Sequence, residues 1–555
     1  MAFNPDQSAA PFRYVAKVVL DSKTYWFADV DMVLSDGTWC DGRLMLGQTT
    51  ISKALGSLIE SKYITQSFTL ALNNNDDVVR GYIDTYQWAN RTVTLYITHG
   101  TDVANLAELQ TGVVRFPAGI SYLQAAVYIS CDDPRDKHSL QLPATRMEPA
   151  TYPNMEAKSQ YKYKPIVYGS WLSTDPGAIA LPAYQVDSTV GTGGTWLWAG
   201  HACKQLEAVY LNGVSSAFTA NADNSGFTLN VAYATATDTV TVHGRGATDD
   251  GLITGTLLQN PALILKDILK TRLGLVDANL DLTAFTDYQT NTSELCRRWI
   301  GGSAQTSSST LIQELLNETW CDLPIVSGKY KPVYRIVSTV GATTNFYEWD
   351  IQKSGSGAGA KALFRVLRDP DRICANRVVG KYRHDPIAGT YGVTYQFDDT
   401  AAQAAYLTVR QRTPDMNFLW IYVQADVETR VQREVYVFGS AEPEVANISL
   451  AQKAILKGPT DQFGLVFDKY GDAPTGYGTP FQIRSSQMTL GSLILQVSAW
   501  NMLMLSPGRW AGSAATTWLL STAWERQTQG YWTDANGYAD TSPSPDAASK
   551  RSRWF

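Results

Sequence analysis

The chain has 555 residues, enough for several domains each with its own core, and an ordinary apolar content of 44%. Charged residues make up only 18%, against a usual figure of about 25%, and the net charge is −6. That balance argues against a nucleic-acid clamp, since no basic run is long enough for one. With 16 Trp and 29 Tyr, residue types favoured at interfaces, it points to a surface covered in an assembly or to an aromatic-rich β core.

The beginning, MAFNPDQSAAPFR, has neither the charged start nor the apolar core of an export signal, so the expected place of synthesis and residence is the cytoplasm. RYVAKVVL, TYWFADVDMVL, SFTLALNN and RTVTLYITHG follow, short β-branched and aromatic runs separated by Asp, Asn and Gly turns. Such spacing predicts a closed barrel or a sandwich, with Trp88 and Arg91 packing a corner. Pro165 opens an extended segment, Ile166 to Tyr168 form a buried strand, and Gly169 breaks it. The run VDSTVGTGGT, 186–195, reads as a flexible connection; it lacks the Gly-Lys-Ser/Thr and the following helix of a phosphate-binding loop.

Asn260 sits where a helix N-cap belongs, Pro261 suits the first helical position, and Gly274 ends the run NPALILKDILKTRLGL. A second helix is predicted from Thr310, with Thr310 as cap, Gln313 reaching back, and Ile312, Leu316 and Trp320 on one face. LPIVSGKYKPVYRIV reads as a β-hairpin turning at Ser327 and Gly328. KSGSGAGAK, 353–361, predicts an exposed loop or hinge, strands resume from Ala362, and residues 441–456 predict a helix. Leu490 to Leu505 is interrupted by Gln496, Ser498 and Asn501; it is too short for a helical membrane span and reads as buried strands. In the last fifty residues Trp510, Trp518, Trp524, Trp532 and Trp554, with Phe555, punctuate Gly-, Ser- and Thr-rich sequence. They suit a tail that docks on a partner, or a last strand with a frayed end.

Catalytic and metal signatures are missing. The six cysteines include no C-x-x-C pair and the five histidines no H-E-x-x-H, and there is no G-x-S-x-G elbow. The expectation is therefore no cofactor, no metal site and no enzymatic role, although carboxylate pairing for glycoside cleavage is spatial and cannot be read from sequence.

The order of the motifs carries a resemblance. Asn260, Pro261, Ala262, Leu273, Gly274, Leu275, Asp281, Phe285, Gly328 and Lys329 resemble a run in host-specificity protein J and related central tail-hub proteins of tailed bacteriophages. KPIVYGSWL, with Pro165, Tyr168 and Gly169, looks like the P-x-x-Y-G strand and loop of that family. NRVVGKYRHDP, with Asn376 and Tyr382, is similar to its N-x-V-x-x-x-Y strand. YVFGSAEPEVANISLAQKAIL is similar to its edge strand, turn and helix, and residues 67–97 resemble its barrel strand pairing. The resemblance spans about residues 160 to 500; the chain departs from the family in having no long fibre-like extension before Phe555.

It implies a mainly β, multidomain tail-hub architecture with small α+β domains and two β-barrel ring domains. The expected division is 1–155 (barrel), 156–255 (β-rich insertion), 256–345 (helix-helix-hairpin), 346–505 (second barrel, with its helix near 441–456) and 506–555 (Trp-rich docking tail). It further implies a homotrimer that joins the sixfold tail tube and distal tail protein to a threefold tip fibre or other baseplate proteins. Such a hub closes the tube until the tape-measure protein and DNA leave, without binding DNA specifically or inserting stably in a membrane. The location implied is the tail tip of the virion, after assembly in the host cytoplasm. The alternative is a carbohydrate-binding or carbohydrate-cleaving β protein, a receptor adhesin, which would be a monomer stabilised by an oligosaccharide.

Overall fold

Strict alternation in the first hundred residues decides the architecture: Tyr14, Ala16 and Val18 point one way, and so do Val93, Leu95 and Ile97 on the strand beside them. In the computed structural model, residues 12–54, 66–123, 125–134, 140–234, 237–326, 328–334, 344–354, 361–368, 374–439, 444–466, 479–501, 509–510, 529–533 and 551–553 are described. The chain is mainly β, as expected. Its largest sheet contains β1 (Phe12–Val19), β2 (Thr24–Ala28), β3 (Thr50–Ala54), β4 (Gln66–Asn73), β5 (Thr92–His99), β6 (Ala107–Val114) and β7 (Ala126–Asp132). It also contains β8 (Phe364–Arg368), β9 (Glu444–Leu450), β10 (Thr479–Thr489) and β11 (Leu495–Asn501). The order is β2-β1-β5-β6-β7-β4-β3-β10-β11-β9-β8, with three further strands off this path.

Two closed barrels are not what these strands build. β3 pairs with β4 on one side and with β10 on the other, Ser485 to Thr489 facing Ala54 to Thr50. Strands predicted for a first and a second barrel thus join in one open sheet over one core, while Arg377–Asp385 and Thr390–Asp398, also expected in the second barrel, pair in a separate sheet on the second core. The core of the open sheet runs from Tyr14, Phe27 and Leu70 to Phe463, Ile483 and Val497.

The second core is helical. α1 (Val78–Thr85) belongs to the first core through Val79, whereas α2 (Pro261–Asp267), α3 (Leu282–Asn291), α4 (Ser308–Glu318) and α6 (Gln424–Phe438) pack the second; α5 (Thr400–Tyr406) lies between α4 and α6 in the chain. As predicted, Asn260 caps α2, its Oδ1 accepting from the Ala262 amide at 2.9 Å, and Gly274 takes φ +74° after the π-helical turn Ile268–Arg272. The cap of α4 is Ser307, not Thr310: its hydroxyl accepts from the Thr310 amide at 3.1 Å, and Thr310 lies inside the helix. Both residues are hydroxylic, and the Ser-rich run before Thr310 let the start slide by one turn. Ile325–Val326 and Lys329–Tyr330 form the predicted hairpin, Gly328 at φ +71°.

Of the helix predicted over 441–456, residues 444–456 are described and are not a helix, and 441–443 lie outside the described residues. The described part from Glu444 is β9, an interior strand between β8 and β11 and not an edge strand, followed by a 3-10 turn at Gln452–Ala454. YVF instead closes α6. That helix places Val427, Val431, Val435 and Phe438 on its buried side at helical spacing, but its β-branched residues made the segment read as extended. The run 186–195 is a hairpin loop held in place: Gly193 donates to the Leu229 carbonyl and accepts from the Trp196 indole at 2.8 Å.

A third core lies among Trp171, Trp196, Trp198, Phe227 and Val242. Residues 355–360 of the Gly-rich run fall outside the described residues; Lys353–Ser354 and Lys361–Ala362, on either side, pair as antiparallel strands.

Candidate assembly surface

Because strand side chains alternate, the face of the large sheet opposite its core is also set by sequence. TISKA, SFTLALN, QIRSSQMT, LQVSAWN and EVANISL bury Ile51, Phe68, Ile483, Val497 and Ile448 on one side. On the other side register aligns their remaining residues into three cross-strand rows. Ser67, Ser52, Gln487, Gln496 and Ser449 form one. Ser130, Thr69, Thr50 and Thr489 form the second. Ala54, Ser485, Ser498, Asn447 and Arg365 form the third. Arg365 carries the single charge in the three rows.

An open groove of about 710 Å³ runs over this face, floored by Ser52, Gln487, Ser498, Asn447 and Arg365 among others. Sheet faces left to water usually carry interspersed charges that oppose association, whereas interfaces are depleted of Lys, Glu and Asp. Hydroxyls and carboxamides each donate and accept, and they desolvate at a fraction of the cost of a charge. The arrangement is chemically fitted to lie against another protein surface, and within the three rows Arg365 is the one group suited to grip a polyanion.

The resemblance segments 67–97 and 436–456 contribute Ser67, Thr69, Asn447 and Ser449 to this face, whereas the motif residues at 165–169, 260–275 and 376–382 do not lie on it. Tyr168 and Leu273 pack in the second core with α2, which Asn260 and Pro261 open, while Pro165 lies against Gly301 and Gly169 donates to the Leu258 carbonyl. The Tyr168 hydroxyl donates to Asp267 at 2.7 Å, and the Tyr168 ring lies 5.8 Å from that of Trp420. Burial, then the Asp267 charge, holds the Tyr168 phenol well above its usual range. Gly169 takes φ +74°, and a Cβ there would stand 2.3 Å from the Cys296 carbonyl oxygen. Tyr382 lies across the same core, and buried Asn376 bridges Thr408 and Arg410 through its side chain. Gly274 and Gly328 are turn glycines with open space around them. Trp510 and Trp532 fall in the short strands Arg509–Trp510 and Gln529–Thr533, and Trp518, Trp524, Trp554 and Phe555 lie outside the described residues.

The strongest buried electrostatics are also internal. Arg297 sits between the rings of Trp171 and Tyr422, 4.5 and 4.1 Å away, and donates to the Gly177 carbonyl at 2.6 Å. His201 accepts from the Val167 amide at 3.0 Å, and burial drives it down to about 4, so its ring is neutral. Glu318 on α4 takes three backbone amides of the segment before α6. Sequence reading did not single these out, because each depends on a contact between segments far apart in the chain. Among the described residues no group of three or more His, Cys, Asp or Glu could hold a metal, and no helix is long and apolar enough to cross a membrane. All six cysteines are buried and free.

No protein-family profile and no curated protein matches this chain. Among solved structures, a 43 kDa tail protein of prophage MuSo2 from Shewanella oneidensis is similar over 88% of this chain and 98% of its own, at 10% identity and a TM-score of 0.38. A tail protein from Neisseria meningitidis MC58 aligns over 89% and 98%, at 8% identity and a TM-score of 0.36. Prophage tail protein gp18 from Listeria monocytogenes EGD-e aligns over 88% and 94%, at 8% identity and 0.37. Scores at this level do not establish a shared fold.

Proposed function

We propose that this chain is a structural protein of a bacteriophage tail, and within the tail the central hub of the tip or baseplate. Three copies would join the sixfold tail tube and distal tail protein to a threefold tip and close the tube until the tape-measure protein and DNA pass. The observation that carries the proposal is the Ser-, Thr-, Gln- and Asn-rich face, with Arg365 the single charge in its three rows, shared by strands from both ends of the chain. Ordered family motifs at 165–169, 260–274 and 376–382 support it. In this reading the Trp-rich segment 506–555 docks the next component, and the chain is not an enzyme.

The test is mass by light scattering and symmetry by negative-stain microscopy on the purified chain, with antibody labelling of virions. A trimeric ring and label at the tail tip are expected. Ser52→Glu combined with Gln496→Glu puts two carboxylates on exposed positions of the face and should abolish assembly while leaving the monomer's melting temperature unchanged. A compact monomer absent from particles overturns the proposal and sends the protein to glycan arrays.

A further inference from the structure

Arg383 stands in the strand Arg377–Asp385 with φ +57°, the left-handed region that residues other than glycine enter only at a cost. The ladder skips it: Tyr382 faces Val393 and His384 faces Tyr391. Its side chain lies across Gly177, where a Cβ would meet the Arg383 Cδ at 2.5 Å. The Tyr382 ring is 5.5 Å from the guanidinium. Among the described residues no carboxylate or carbonyl takes a hydrogen bond from that guanidinium, and its Nε is buried without an acceptor.

Gly177 also holds a second guanidinium. Arg297, only 2% exposed, donates through Nη2 to the Pro176 and Gly177 carbonyls at 3.2 and 2.6 Å, which leaves its Nη1 buried without an acceptor. Burial brings Arg297 down to about 10; Tyr422 and Asp175 oppose the fall, and the Arg383 charge adds to it. Asp175, whose Oδ2 accepts from the Leu172 amide at 2.8 Å, is the one carboxylate that acts on this pair of cations. A structural arginine needs the rings and carbonyls that Arg297 has. It does not call for a neighbour of the same charge on strained backbone, nor for a buried N–H on each that meets no acceptor.

We propose that Arg297 and Arg383 hold a phosphate group beside the 175–177 loop, Arg297 Nη1 and Arg383 Nε each donating to a different oxygen. A dianion offsets the repulsion between the two guanidiniums and gives both orphaned donors an acceptor. Pro176 and Gly177 are exposed, so the place is within reach of solvent. A carboxylate fits less well, because it is planar and pairs best with the two-pronged fork of one guanidinium, whereas here two guanidiniums offer one N–H each. Neither arginine lies on the polar sheet face, so this inference stands or falls apart from the tail assignment.

The test is the melting temperature of the full chain near pH 7.5 in about 5 mM inorganic phosphate, against chloride of equal ionic strength. Phosphate should raise it by about 1–3 °C in the wild type. Arg383→Gly accepts the left-handed backbone and removes one of the two cations, so it should melt near the wild type in chloride and show no phosphate shift. Arg383→Met keeps the bulk and should also lose the shift, with phosphate binding weakened about ten-fold or more by calorimetry. Acetate should give no shift. Glycerol 3-phosphate separates the sources of the group: a shift equal to that of inorganic phosphate assigns the site to a phosphate on an organic carrier, and its absence to the free ion. A wild type indifferent to phosphate, a phosphate shift that survives in both Arg383 variants, or an equal shift with acetate overturns the proposal.

Discussion

Glu318, only 5% exposed at the end of α4, accepts hydrogen bonds from the backbone amides of Leu419, Trp420 and Ile421 at 2.6, 2.9 and 2.9 Å. Replacing it by Gln would set an NH₂ group against at least one of those amides, so Glu318→Gln should cost about 2–3 kcal/mol in a urea titration. Burial pushes this carboxyl up to about 8 against the pull of the amides. Since that lies above its unfolded value of 4.5, its contribution is full below pH 4.5 and is lost as pH rises through 8. Wild-type stability should therefore decline across that window, and the decline should flatten in Glu318→Gln. Gly169 is the other decisive single residue. Its φ of +74° and the 2.3 Å approach to the Cys296 carbonyl leave no room for a methyl. Gly169→Ala should destabilise by about 3 kcal/mol or more, read by the same titration.

Among the elements, the caps separate what is local from what is not. Asn260 caps α2 and also donates through Nδ2 to the Thr292 carbonyl at 3.0 Å, so Asn260→Ala should cost about 1–2 kcal/mol in a denaturant titration. For α4, Ser307→Ala should cost about 1 kcal/mol and Thr310→Val less than about 0.5, since only Ser307 satisfies a backbone amide. Equal costs would restore Thr310 as the cap. α2 was legible because Asn, Pro and Gly act on the backbone next to them. α6 was not: Gln424–Phe438 begins at Val423 without a side-chain cap, and its valines favour a strand until they meet the second core. Buried Glu434 within it holds buried Arg430 and half-buried Arg412 at 2.9 and 3.0 Å, a trio that only the folded helix assembles.

At the scale of the whole molecule, β3 ties the two ends of the chain together. Residues 1–155 expressed alone would expose the edge of β3 that β10 covers and would lose Phe463, Phe481, Ile483 and Val497 from the first core. Such a fragment should show no cooperative melt and should aggregate, whereas co-expression with 344–555 should restore a soluble pair on size exclusion. A fragment that folds alone would show that the first core does not need its distant half.

The sequence by itself determined the mainly β class, the individual strands of the N-terminal region, the α2 start at Asn260 and Pro261, and the hairpin at Gly328. These follow from period-two patterning and from residues that restrict their own backbone. Tertiary structure decided which strands became neighbours, and so joined strands of two expected barrels in one open sheet. It also decided that 444–450 is an interior strand, that Ser307 caps α4, and that the uncharged residues of separate strands share one face. Pairing between positions such as Ser52 and Gln487 is set by cross-strand hydrogen bonds and by burial of a common core, and no local window of the chain contains both partners.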